Sequence, residues 1–168
     1  DEVFGSSDLA GRKVAVQGVG NVGLHLVKYL HDAGANTVIT DIDEARLEEL
    51  SSDYGCKVVG TDDIYAVKAD VFAPCALGAI LNDKTIPQLQ VPIIAGGSNN
   101  QLENMQRHGA MLRDREILYA PDYVINAGGL INVYAEISAA PREKALRDAE
   151  NIYVTLREIF ALARDRAI

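Results

Sequence analysis

Short runs of β-branched and apolar residues alternate along the chain with stretches whose apolar positions recur every three or four residues. That alternation predicts a parallel sheet covered by helices. Lys13-Val14-Ala15-Val16-Gln17 has the composition of a buried strand, and the stretch from Asn21 to Ala33 places Val22, Leu26, Val27, Leu30 and Ala33 on one helical face. Gly34 is positioned to stop that helix. Thr37-Val38-Ile39-Thr40 predicts a second strand. Asp43 can cap a second helix through Leu47 and Leu50, with Gly55 ending it.

Weaker signals follow. Lys57-Val58-Val59 predicts a third strand, and Asp62 or Asp63 opens a short helix through Ala66. Asp70-Val71-Phe72-Ala73 is expected as a fourth strand stopped by Pro74, and Pro92-Ile93-Ile94-Ala95 as a fifth running into Gly96-Gly97. Ile117-Leu118-Tyr119 predicts a sixth. The residues from Asp122 to Ile137 predict a helix interrupted by Gly128-Gly129. From Pro141 onward, Leu146, Ala149, Ile152, Tyr153, Leu156, Ile159, Phe160 and Ala163 keep helical spacing to the end. The expected fold is therefore α/β: a doubly wound, mostly parallel sheet of Rossmann type, with helices on both faces and a long C-terminal helix.

Composition narrows the function. A length of 168 residues fits one domain with its own core. A net charge of −8 argues against nucleic acid or an anionic membrane surface as the main partner. No apolar run approaches ~18 residues, so no membrane segment is expected. Cys56 and Cys75 form no CxxC pair, and the histidines His25, His31 and His108 are scattered, so no metal site is expected. A reducing cytoplasm is the default location. The final helix reaches Ile168 with neither cap nor stop, which leads us to expect a fragment: one dinucleotide-binding domain over residues 1–168.

Gly18-Val19-Gly20-Asn21-Val22-Gly23 follows a predicted strand and opens a predicted helix, the context a GxGxxG motif needs. Gly18 allows the tight turn, Gly20 lets backbone approach a pyrophosphate, and Gly23 lets helix and sheet pack closely. Amides and dipole at the helix start then attract phosphate. The alternative is a tight turn with no ligand. Asp41, followed by Ile42, lies close to the ~20-residue offset where an acidic side chain meets ribose hydroxyls and repels a 2′-phosphate, favouring NAD over NADP. Asp41 as a plain turn residue is the competing reading. Arg46 could offset the NAD preference, but a solvated helix face is its expected place.

Three later segments, Ala73-Pro74-Cys75-Ala76-Leu77-Gly78, Gly97-Ser98-Asn99-Asn100-Gln101-Leu102 and the run from Tyr119 to Gly129, complete an ordered set with the glycine turn. Together they resemble the cofactor domain of the leucine, phenylalanine, valine and tryptophan dehydrogenase group within the glutamate dehydrogenase superfamily. The resemblance implies reversible oxidative deamination of an apolar or aromatic L-amino acid to a 2-oxo acid, ammonia and NADH. It implies that Gly18, Gly20, Asn21, Val22 and Gly23 cradle the pyrophosphate and that Asp41 and Ile42 meet the adenosine. Cys75 and Ala76 would border the cofactor, Asn100 would face nicotinamide and substrate, and Asn126 would bind the carboxamide. Leu130 and Val133 would line the substrate pocket.

A leucine at position 130 resembles the phenylalanine and tryptophan enzymes more than the leucine enzyme. Tyr134-Ala135-Glu136 departs from the Ala-Asp-Glu common in the family, and substrate choice stays open. The family's catalytic lysines and aspartate belong to an N-terminal substrate domain, and no segment here matches them. This chain is thus expected to bind dinucleotide but to be inactive alone, while the parent forms homo-oligomers. A free-standing NAD-binding module is the alternative, and another Rossmann oxidoreductase is a third. Plainer roles compete at single positions. Cys75 could be a small packed residue, Asn99 a turn residue, Gly128-Gly129 a close helix contact and His108 a cation near a helix end. Tyr119, Tyr123 and Tyr153 are expected to pack.

Overall fold

A computed structural model describes residues 2–166. Among these described residues, six strands form one parallel sheet in the order β3-β2-β1-β4-β5-β6. They are β1 (Lys13–Gln17), β2 (Asn36–Thr40), β3 (Lys57–Val58), β4 (Val71–Pro74), β5 (Ile93–Ile94) and β6 (Leu118–Tyr119). The helices are α1 (Asn21–Asp32), α2 (Glu44–Tyr54), α3 (Met105–Asp114), α4 (Asp122–Ile125), α5 (Gly128–Ile137) and α6 (Arg142–Arg166), with 3-10 turns at Asp63–Ala66 and Ile86–Gln88. The strand order reverses between β1 and β4, where open α/β sheets bind ligands.

Alternation along the strands splits the core in two. Val14, Val16 and Ile39 face a cluster with Val27 and Leu30 of α1 and Leu47 and Leu50 of α2. Ala15, Val38 and Phe72 face the other side, against Ile64, Leu81, Ile86 and Leu112. Because both faces are buried there, the middle of β1 (Val14, Ala15, Val16) and the run Val71-Phe72-Ala73 of β4 are apolar without alternation. Among the described residues, no helix is long and apolar enough to cross a membrane, and no group of three or more His, Cys, Asp or Glu is placed to hold a metal.

Several expectations change in detail. Pro74 ends β4 from inside it, paired with Gln17, because the last residue of a strand can lack an N–H while its carbonyl still accepts the Ser98 amide at 2.9 Å. The expected helix from Asp122 to Ile137 breaks at Asn126-Ala127, and Gly128 and Gly129 begin α5 instead of interrupting it. A Cβ on either glycine would meet nothing within 4 Å, so they mark no close contact. On α1 the buried residues are Gly23, Val27 and Leu30; Ala33 is exposed as C-cap, and Val22 is exposed where it leans over Gly97.

α3 is an additional helix that residue spacing does not announce. Asn104 caps it by accepting the Arg107 amide at 2.9 Å. His108 does not stand at the C-terminal end of a helix. It lies within α3, 1% exposed, with Nδ1 accepting the Asn104 amide at 2.9 Å and Nε2 3.3 Å from Asp83. The pair forms a reciprocal cap, so the histidine secures the helix start.

Candidate functional site

The glycine turn is made by backbone. Gly18 has φ +88°, and its amide donates to the Thr40 carbonyl at 2.8 Å, which ties the turn to the end of β2. A Cβ at Gly18 would lie 2.6 Å from that of Ala76, so the turn and the loop after β4 touch. A Cβ at Gly23 would collide with the Gly18 carbonyl, which keeps the first turn of α1 against the strand. Gly20 is the N-cap residue of α1, and no side chain caps the helix start. The first amides of α1 are thus left to an external acceptor.

Asp41 stands beside this turn at the end of β2. Its Oδ2 accepts the Val19 amide at 2.6 Å, while Oδ1 accepts the amides of Ile42 at 2.7 Å and Asp43 at 3.1 Å. The carboxylate therefore fixes the turn, as the plain reading had it. It still has acceptor capacity left on Oδ2, since two carboxylate oxygens offer about four lone-pair positions. Arg46 is not simply solvated on α2: its guanidinium donates to the Val19 carbonyl at 3.2 Å and lies 4.0 Å from Asp43. Asp41 and Arg46 thus hold the two sides of the same peptide region.

An open cleft of about 430 Å³ runs from here, lined by Gly18, Gly20, Asp41, Ile42, Cys75 and Ala76 among others. Two lining side chains, Gln17 and Thr40, carry buried oxygens (Oε1 and Oγ1) without a partner. Ile42 and Leu77, 91% and 82% exposed, flank it as bare apolar side chains. Burial pushes the Cys75 thiol up, with the Gly97 backbone opposing, so it is a neutral packing group at ordinary pH.

A second cleft, about 370 Å³, lies over β6 and α4 and is lined by Asn99, Asn100, Met105, Tyr119, Asp122 and Asn126 among others. Asn100 adopts φ +50°. Asn126 donates through Nδ2 to the Ser98 carbonyl at 3.3 Å and to Asn99 Oδ1, leaving its own Oδ1 for a donor. Burial, then the nearby Asp122 carboxylate, push the Tyr119 phenol far above its ordinary value. Tyr119 packs as expected. Tyr123 does not, standing 65% exposed on the rim of this cleft, while Tyr153 is half-buried beneath the Arg157 guanidinium.

The expected residues therefore separate into groups. Gly18, Gly20, Asp41, Ile42, Cys75 and Ala76 share the first cleft, with Asn21, Val22 and Gly23 on the helix start beside it. Asn100 and Asn126 share the second. Leu130 and Val133 line neither and stand exposed on α5. Sequence spacing did not single out Asp122, Gln101 or the bond from Arg46 to Val19, since each depends on partners brought together only by folding.

The family model for glutamate/leucine/phenylalanine/valine dehydrogenase matches residues 39–166. Leucine dehydrogenase from Geobacillus stearothermophilus is 50% identical over 163 residues, covering 97% of this chain and 44% of the relative. L-Tryptophan dehydrogenase from Nostoc punctiforme is 52% identical over 163 residues, covering 97% of this chain and 46% of the relative. A crystal structure of L-tryptophan dehydrogenase from Nostoc punctiforme aligns at 50% identity with a TM-score of 0.97, covering 99% of this chain and 51% of that one. The chain spans about half the length of the curated relatives it matches.

Proposed function

The chain belongs to the glutamate/leucine/phenylalanine/valine dehydrogenase family, and from that premise we propose that it is the NAD-binding portion of an L-amino-acid dehydrogenase. The observation that carries this reading is the first cleft. At the reversal of strand order, an uncapped helix start, a glycine turn and a carboxylate converge on one groove. The groove suits a dinucleotide. Free amides of α1 match a pyrophosphate, the spare acceptor on Asp41 matches ribose hydroxyls, and Ile42 and Leu77 can sandwich a flat base.

In this reading Gly18, Gly20, Asn21, Val22 and Gly23 hold the pyrophosphate, and Asp41 with Ile42 holds the adenosine. The negative charge of Asp41 disfavours a 2′-phosphate, while Arg46, which keeps its positive charge as it donates to the Val19 carbonyl, acts in the opposite direction. Cys75 and Ala76 border the cofactor where the loop after β4 meets the turn. Asn126 offers Oδ1 to a carboxamide N–H, and Asn100 lies beside it on the rim. When bound, the nicotinamide takes or gives the hydride exchanged with the α-carbon of the amino acid. The reacting acids and bases would come from the remainder of the parent protein, since neither cleft here presents a lysine. We further propose a cytoplasmic homo-oligomeric parent acting on an apolar or aromatic L-amino acid. Leu130 and Val133 would face that substrate only once the remainder of the parent closes over α5.

Calorimetric titration of the chain with NADH and NADPH tests the cofactor, with NADPH expected to bind at least about tenfold more weakly. Tighter binding of NADPH would remove the role given to Asp41, and no binding of either would remove the reading. Assays of the full-length parent with leucine, valine, phenylalanine and tryptophan test the reaction. A parent that binds NADH but oxidises no amino acid would favour a cofactor-binding module.

A further inference from the structure

Asp122 is a buried carboxylate, 8% exposed, and no cation pairs with it among the described residues. It binds backbone in two directions. Oδ1 accepts the amide of Tyr123 at 2.9 Å, in its own first turn, and Oδ2 accepts the amide of Gln101 at 3.0 Å, 21 residues earlier. Gln101 is itself fully buried, and its Nε2 donates to the carbonyls of Gly96 at 2.9 Å and Ser98 at 3.0 Å. Residues 96–101 are thereby closed into a compact loop.

Asn100 sits next to this clamp with φ +50°, a conformation that a non-glycine residue keeps only when its neighbours hold it. Its carbonyl accepts the Ala79 amide at 2.7 Å, and the following amide is the one that Asp122 grips. Asn126 follows Asp122 by one turn, its amide donating to the Asp122 carbonyl at 3.1 Å. Its side chain reaches back to Ser98 and Asn99. One carboxylate thus joins the loop carrying Asn100 to the helix carrying Asn126.

We infer that Asp122 is the positioning residue that sets Asn100 and Asn126 relative to each other, and so orients the nicotinamide end of the dinucleotide through those two side chains. This rests on the cofactor reading above. A carboxylate suits the task because it accepts two amides at once, whereas an asparagine would turn an N–H2 toward one of them. The damage from such a change falls first on the loop of residues 96–101, which approaches the start of α1 only where Gly97 lies under Val22.

The chain and its Asp122→Asn variant are titrated with NADH and with ADP-ribose, which carries adenosine and pyrophosphate but no nicotinamide. NADH is expected to bind the variant about tenfold more weakly, with ADP-ribose unchanged within about twofold. The near-ultraviolet-excited emission of bound NADH should also move toward that of the free cofactor. Should the variant unfold, Asp122→Ser keeps a short acceptor for Tyr123 while releasing Gln101, and the same split is expected. Equal weakening of both ligands, no change in either, or unfolding of both variants overturns the inference and leaves the cofactor reading standing. If the unsubstituted chain binds neither ligand, the cofactor reading falls and the inference goes with it.

Discussion

The cleft around Gly18 rests on β1, β2 and β4, strands of four and five residues in continuous parallel register. The cleft around Asn100 rests on β5 and β6, two residues each, and gets its shape from side chains: Gln101, Asp122 and Asn126 bonding to loop backbone. The first is a rigid crevice whose geometry follows from backbone and glycine. The second is an assembly of polar contacts, each conditional on the others. In the proposed reading, rigid parts would suit the phosphate and sugar of a dinucleotide, and a loop built from hydrogen bonds can be retuned by single substitutions.

The sharpest way to break this contrast is Gly18→Ala. The new Cβ would meet Ala76 at 2.6 Å on a residue held at φ +88°, so stability should fall by about 3 kcal/mol. Denaturant unfolding reads that loss, and NADH binding should vanish with it; near-normal binding would show that the turn is not limited by backbone. Next comes Asp41→Ala, which leaves three amides without their acceptor. Paired titrations should show NADH weakened about thirtyfold and its advantage over NADPH gone, while thermal unfolding shows a smaller loss than Gly18→Ala.

A third test is alkaline pH. The folded chain holds Cys56, Cys75, Tyr65 and Tyr119 above their ordinary values of 9.0 and 10.0, chiefly by burial. A raised folded value favours the protonated native state, so this stability is complete below about pH 9 and is lost as pH rises through the folded values. Unfolding free energy should decline across that alkaline range, and Tyr119→Phe should flatten the decline more than Tyr65→Phe. An increase of stability with pH there would contradict the burial of these groups. The smallest effect belongs to Leu130→Ala. Its side chain lines neither cleft, so stability should stay within about 0.5 kcal/mol and NADH affinity should not move. A lowered affinity would mean that α5 bends over the cofactor.

The contrast between the clefts also explains what could be read from residue order. The turn at Gly18, the cap at Asp43 and the stops at Gly34 and Gly55 are local decisions, and each stands where spacing put it. Asp41 was legible as a carboxylate one strand over, yet its grip on Val19 was not, because that bond crosses from β2 to the turn. α3 escaped notice because Gly109 sits inside it and only His108 and Leu112 are buried, leaving little apolar periodicity; the cap at Asn104 was its one local signal. Asp122 looked like an ordinary helix-opening residue, and nothing short of the folded loop shows that it reaches Gln101.

The central strand has a kinetic consequence. β1 pairs on one side with β2 and on the other with β4, and the Lys13 amide is held by the Asp70 carboxylate 57 residues away. Early closure of the β1–α1–β2 unit therefore yields only one wall of the crevice, and the other must wait for a long stretch of polypeptide to return. A nucleotide present during refolding would have little to grip until that late docking event. It should slow unfolding far more than it accelerates folding.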